Sequence, residues 1–156
     1  MKRFAAICTG IIAALCTACV GDGEPEISDR DSRLKTGDTA PAFTVTLSDN
    51  TTFSSPADFT ESDSTLIVFF NTTCPDCREE LENLQQRQQA THAPRIICIS
   101  RAQGREEIRK YWEEHYLTLV YAAVPDRSVY SLFALRGIPR SYLFSPSGRL
   151  IRQTAE

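Results

Sequence analysis

The sequence predicts an α/β domain with a central mixed β-sheet flanked by helices. Three observations carry this. Thr65 to Phe70 is an apolar run of strand length, rich in β-branched and aromatic residues, and a helix-forming segment, Pro75 to Gln89, follows it after a polar break. Arg95 to Ser100 is a second such run, followed by a helical stretch from Gly104 to His115. Ser141 to Phe144 and Leu150 to Arg152 flank Ser145-Pro146-Ser147-Gly148, a turn that makes them a hairpin. Two strand–helix units followed by an antiparallel hairpin give an α/β layer architecture.

The chain opens on a targeting signal. Lys2 and Arg3 precede an apolar region, Phe4 to Leu15, that is short for a membrane span and fits a secretory signal. The run ends Leu15-Cys16-Thr17-Ala18-Cys19, which resembles a bacterial lipobox with Cys19 as the lipidated residue, although Cys16 stands where that pattern usually has Leu. An ordinary cleaved signal is the other reading. The division expected is a lipoprotein signal over 1–18, a flexible acidic tether over 19–35 and one folded domain over 36–156. The tether's early acidic residues give a weak hint of surface export. With a net charge of −3 there is no nucleic-acid footprint. No later apolar run is long enough to cross a bilayer, and no phosphate-cradling or dinucleotide-binding glycine motif is present.

Within the domain, Phe43 to Leu47 alternates and pairs with Thr51 to Phe53 across Ser48-Asp49-Asn50, and Ser54 to Phe59 is expected to form a short helical turn. Cys77, Leu81 and Leu84 recur at i, i+4, i+7 and mark the buried face of the first helix. Ile108, Trp112 and His115 share one side of the second. Leu119 to Ala123 reads as a short strand and Ser128 to Leu135 as a helix ending near Gly137.

The chemistry concentrates where the first strand meets its helix. Asn71-Thr72-Thr73 breaks the strand, Cys74-Pro75-Asp76-Cys77 follows, and Pro75 suits the first helical turn. A cysteine at a helix start gains thiolate character from the unpaired N–H groups and the dipole. If the signal leaves and Cys19 is lipidated, the folded part keeps Cys74, Cys77 and Cys98. One close pair at a helix start then reads as redox-active, with a static disulfide or half a metal site as the plainer alternatives. Cys98, inside an apolar strand, reads as a small core residue.

Gly37-Asp38-Thr39-Ala40-Pro41-Ala42-Phe43, the segment Phe69 to Leu81, Gly137-Ile138-Pro139 and the hairpin Ser141 to Leu150 together resemble the thioredoxin superfamily. The nearest type is the TlpA/ResA-type membrane-anchored thiol–disulfide oxidoreductases of bacterial envelopes. The resemblance implies a thioredoxin-like fold. The chain shows no obvious C-terminal helix after its last strand, which would leave one sheet face partly uncovered. Asn71 to Thr73 stand where the family usually has a Trp, and Val68 stands where cytosolic thioredoxins carry a buried Asp.

The resemblance also implies roles. Cys74 attacks a partner disulfide and Cys77 resolves the mixed disulfide. Pro75 and Asp76 set the redox poise. Asp76 opposes a thiolate at Cys74 and so favours a reductant. Glu80 sits where relatives place a proton-handling Glu, although a solvated first turn explains it equally well. Pro139 is expected in cis, with the Ile138 backbone pairing with an extended partner segment. Arg140 is either a partner contact or a solvated side chain. No resident cofactor or metal is implied. The implied partners are exported disulfide proteins, apocytochrome c among the candidates, an upstream thiol donor and a membrane reached through the lipid anchor. The implied location is the cell envelope, facing the periplasm or the cell surface. Two other functions stay open. One is a peroxiredoxin-like peroxide reductase, against which Ile67 and Asn71 occupy the expected Pro and Thr positions of its active-site pattern. The other is a non-enzymatic copper or zinc carrier using the cysteine pair.

Overall fold

A computed structural model describes residues 31–59 and 63–155. The proposed signal, Cys19 and most of the proposed tether lie outside these residues; the described end of the expected tether, 31–34, is instead packed on the domain, with Leu34 in the core and Asp31 and Arg33 bonded to the backbone at 133–135. The described chain folds as β1 (Phe43–Thr46), β2 (Thr52–Ser55), β3 (Thr65–Phe70), α1 (Pro75–Arg87), β4 (Arg95–Ser100), α2 (Arg105–Glu114), β5 (Tyr121–Ala122), α3 (Tyr130–Phe133), β6 (Arg140–Phe144) and β7 (Leu150–Ala155). The main sheet has the order β5-β4-β3-β6-β7, and β1 with β2 forms a separate hairpin. β3, β4 and β5 are parallel, while β6 and β7 run antiparallel to their neighbours. This is the central mixed sheet flanked by helices that the sequence predicts, with three helices among the described residues.

β3 is central and covered on both faces, which is why it reads as an unbroken apolar run. Its alternate residues feed two cores. Ile67 and Phe69 join Ile97, Ile99, Tyr142 and Phe144 beneath the β1–β2 hairpin and α3. Val68 and Phe70 join Ile96 and Cys98 beneath α1 and α2, whose Cys77, Leu81, Leu84, Ile108 and Trp112 point inward. The Trp112 indole N–H donates to the Leu119 carbonyl at 2.8 Å, so this large ring is buried with its polar atom satisfied. Leu66 packs on the second core but stays half-buried, as does Leu143 opposite it on β6. Cover is therefore thinner on that part of the sheet.

Four expectations need correction. Ser54 to Phe59 is not a helical turn: β2 continues through Ser55, a cis bond joins Ser55 to Pro56, and a turn closes with the Phe59 N–H on the Pro56 carbonyl. The third helix is a single turn rather than Ser128 to Leu135. The segment at 31–34 competes for its groups, with Arg33 N–H on the Phe133 carbonyl, Leu135 N–H on the Asp31 carbonyl and Ala134 bridged to Ser32 in extended backbone. β5 shrinks to two residues, Tyr121 and Ala122, which pair with Cys98 and Ile99. β7 runs on to Ala155, pairing there with Arg140.

Candidate active site

The parallel strands end at one edge of the sheet, where α/β folds place their ligands. β3 delivers the chain to that edge, and Asn71 breaks it. The Asn71 side-chain oxygen accepts from the Thr73 backbone N–H at 2.9 Å and from the Thr73 hydroxyl at 2.7 Å, while its amide donates to the Arg101 carbonyl at 3.3 Å. Cys74 is the N-cap of α1, with extended backbone (φ −93°, ψ 117°) and Pro75 directly after it. Its Sγ accepts the Cys77 backbone N–H at 3.3 Å and donates to the Ile138 carbonyl at 3.7 Å. The Ile138–Pro139 bond is cis and Pro139 is buried. One sulfur thus sits between a helix N-terminus and the carbonyl of the proline loop, partly open to solvent, while Cys77 one turn on is 1 % exposed.

The structure brings together Cys74, Cys77, Pro75, Asp76, Ile138 and Pro139. Pro75 and Asp76 are exposed beside Cys74. Glu80 is half-buried on α1, and its charge acts on the Cys98 thiol. Arg140 differs from the sequence expectation. It is 4 % exposed, so it is not a solvated arginine and offers a partner almost no surface. Strand alternation places it on the face of Tyr142 and Phe144, and its Nη2 donates to the Arg136 carbonyl at 3.1 Å, bracing the loop from within.

Two supports of the site were missed from the sequence. Gln103, 4 % exposed, clasps Thr72: its side-chain oxygen accepts the Thr72 N–H at 2.8 Å and its amide donates to the Thr72 hydroxyl at 2.6 Å and to Glu107 at 2.5 Å. This polar clasp holds the turn before Cys74. Tyr130, 1 % exposed, donates its O–H to the Gly137 carbonyl at 2.8 Å and anchors the proline loop from below.

Burial pushes the Cys77 thiol well above its ordinary value, and its hydrogen bond to Cys74 pushes the same way. The Asn71 backbone and the Arg101 charge offset part of this. Burial, then the Glu80 carboxylate, push Cys98 up as well. Both raised values favour the protonated thiol in the fold. The stability they lend is fully present below the ordinary thiol value of 9.0 and is lost as pH rises above it, because the unfolded chain then releases protons the native state keeps. The urea midpoint of the reduced protein is expected to fall between about pH 8.5 and 10. The oxidised protein, lacking the Cys77 thiol, should fall less. Parallel midpoint titrations check this, and identical slopes would refute it.

Residues 36–153 match the AhpC/TSA family, and the chain belongs to it. No curated relative matches the sequence. Among solved structures it is similar to a candidate protein disulfide isomerase from Bacteroides thetaiotaomicron (20% identity, TM-score 0.70, covering 80% of this chain and 81% of that one). It is also similar to the thioredoxin domain of a thiol-disulfide oxidoreductase from Bacteroides vulgatus (24%, 0.68, 79% and 90%). A third is a secreted Mycobacterium tuberculosis disulfide oxidoreductase homologous to DsbE of E. coli (16%, 0.63, 74% and 84%). At these identities the likeness establishes the thioredoxin-like fold. Among the described residues, no helix is long and apolar enough to cross a membrane, and no group of three His, Cys, Asp or Glu side chains could hold a metal ion.

Proposed function

We propose that this chain is a thiol–disulfide oxidoreductase of the bacterial cell envelope, exchanging disulfides with exported proteins through Cys74-Pro75-Asp76-Cys77. The observation that carries this is the position of Cys74 Sγ, capped by the Cys77 N–H and facing the Ile138 carbonyl. Cys74, partly exposed at the helix N-terminus, attacks one sulfur of a partner disulfide as its thiolate. A Cys74–partner disulfide forms and the other partner sulfur leaves as a thiolate that takes up a proton. Cys77, once deprotonated, attacks Cys74 Sγ, closes the Cys74–Cys77 disulfide and expels the second partner sulfur. Two electrons pass to the partner, and an upstream dithiol donor returns the pair to the reduced state. Half-buried Glu80, one turn after Cys77 on α1, is the candidate for handling the Cys77 proton. The partner segment lies extended along Ile138, pairing with its backbone.

Asp76 beside the thiol favours a reducing couple. Equilibration with glutathione is expected to give a potential near thioredoxin's about −270 mV, not near the about −120 mV of a strong oxidant. An oxidising value overturns the reductant assignment. Reduced protein is expected to turn over insulin disulfides, and absence of turnover would remove the reading as a whole. Lipid attachment at Cys19, with the stretch between it and Asp31 as the tether, completes the proposal; from Asp31 on the chain is packed on the domain. Labelled palmitate retained by a Cys19→Ala variant would remove that part.

Membership in the AhpC/TSA family supports a second reading, a peroxide reductase. The residues of the strand and turn weigh against it. Ile67 is buried in β3, and Asn71 spends its side chain on Thr73 and Arg101, so neither the Pro nor the Thr of that active-site pattern is supplied. Peroxide consumption at a rate matching disulfide turnover would reverse the order of the two readings.

A further inference from the structure

The guanidinium groups of Arg101 and Arg127 stand over one aromatic ring, that of Tyr130, with Cζ 5.4 and 5.6 Å from its centroid. Among the described residues, neither guanidinium has an ion pair or a side-chain hydrogen bond. Each presents five N–H donors in a fork that matches a carboxylate. Both charges are held at one ring without a carboxylate partner, so an incoming carboxylate is the group that complements them.

Their place in the fold gives this pair a use. Arg101 directly follows β4, and its carbonyl takes the Asn71 amide that shapes the turn before Cys74. Tyr130 holds the Gly137 carbonyl, one residue before Ile138, whose own carbonyl faces Cys74 Sγ. Arg101 therefore lies beside the cysteine pair, its charge reaching Cys77, and Arg127 shares with it the ring that anchors the proline loop. A partner chain extended along Ile138 advances about 3.3 Å per residue, so a side chain roughly three residues from the reacting cysteine comes within reach of long arginines.

We propose that Arg101 and Arg127 form a carboxylate-recognition site that selects partner segments carrying Asp or Glu a few residues from the reacting cysteine. This rests on the thiol–disulfide reading and names the class of segment it acts on. The site sets which disulfides are reduced quickly; the effect of the Arg101 charge on Cys77 is common to all partners and cancels when their rates are compared.

The test uses reduced full-length protein and three disulfide peptides of equal length, identical except for Glu, Gln or Lys three residues from one cysteine, on either side. The order of single-turnover rates is expected to be Glu, then Gln, then Lys. The Glu/Gln ratio should be about 5-fold or more at low salt and should shrink toward one at 1 M NaCl as the charges are screened. Arg101→Gln with Arg127→Gln should bring the ratio to one, and Arg101→Lys with Arg127→Lys should keep part of it. Because Arg127 is exposed, Arg127→Gln alone should lower the ratio without risk to the fold. Equal rates on Glu and Gln peptides, or a ratio that survives both Gln variants, overturn the recognition site and leave the oxidoreductase reading standing. Failure to reduce any of the three peptides overturns the oxidoreductase reading itself.

Discussion

Replacing Cys74 by serine is expected to bring disulfide reduction down to the uncatalysed level while the fold stays intact. The two halves of this result have separate causes. A hydroxyl does not ionise in the range where a helix-start thiol does, so no nucleophile remains. Serine, however, is one of the best N-caps. Its Oγ can accept the Cys77 N–H as the Cys74 sulfur does at 3.3 Å, so thermal stability should hold. Cys77→Ala is the complementary variant. It removes the resolving sulfur from a site within the core formed by Val68, Phe70 and Leu81 and costs about 1 kcal/mol, the usual scale for a small change. The first attack still occurs and the second does not. A mixed disulfide between Cys74 and the partner should therefore accumulate, visible as a reductant-sensitive mass increase on non-reducing gels. A Cys77→Ala protein that turns over normally and traps nothing would show that Cys77 does not resolve, whatever its distance from Cys74.

The parts of this site that were legible in the sequence are those whose chemistry is local. β3 and β4 match their sequence limits because strands covered on both faces read as continuous apolar runs. Cys74 and Pro75 announce a helix start by residue type alone, and Gly137-Ile138-Pro139 announces a loop. Residues defined by a long-range contact were not legible. Gln103 meets Thr72 across 31 positions of chain, and before folding it is one polar residue ahead of Gly104. Arg101 and Arg127 come together only because the loops after β4 and before α3 converge on Tyr130. Arg140 is a different case, since its burial was available to inspection. Tyr142 and Phe144 follow at even spacing, so Arg140 had to share their face once the strand began one residue earlier than Ser141. α3 was over-extended because a helix of this length is marginal on its own, and the segment at 31–34 outcompetes its last turn for backbone partners.

A large loss of stability is expected from Phe69→Ala. Phe69 is fully buried in the central strand, and its ring lies 4.9 Å from Phe133, 5.3 Å from Tyr130 and 6.2 Å from Tyr142. Removing a buried aromatic ring costs about 3–5 kcal/mol through lost transfer energy and the cavity left behind. Against a total of about 5–15 kcal/mol, that leaves a domain close to its folding threshold. At a urea slope of about 2 kcal/mol per molar, the midpoint should drop by about 1.5–2.5 M. A second effect separates this site from any other core position. Tyr130 leans on Phe69 and holds the Gly137 carbonyl, so the cavity opens directly under the loop that faces Cys74. Phe53→Ala is the matched control. It is equally buried, but its ring neighbours are Phe43 and Phe59, on the β1–β2 side of the same core. Both variants should lose comparable stability. Per folded molecule, at low temperature and without denaturant, Phe69→Ala should reduce disulfides several-fold more slowly, whereas Phe53→Ala should retain the native rate. Equal turnover in the two would mean that the proline loop keeps its position without Tyr130 pressed from below, and that Tyr130 contributes packing alone.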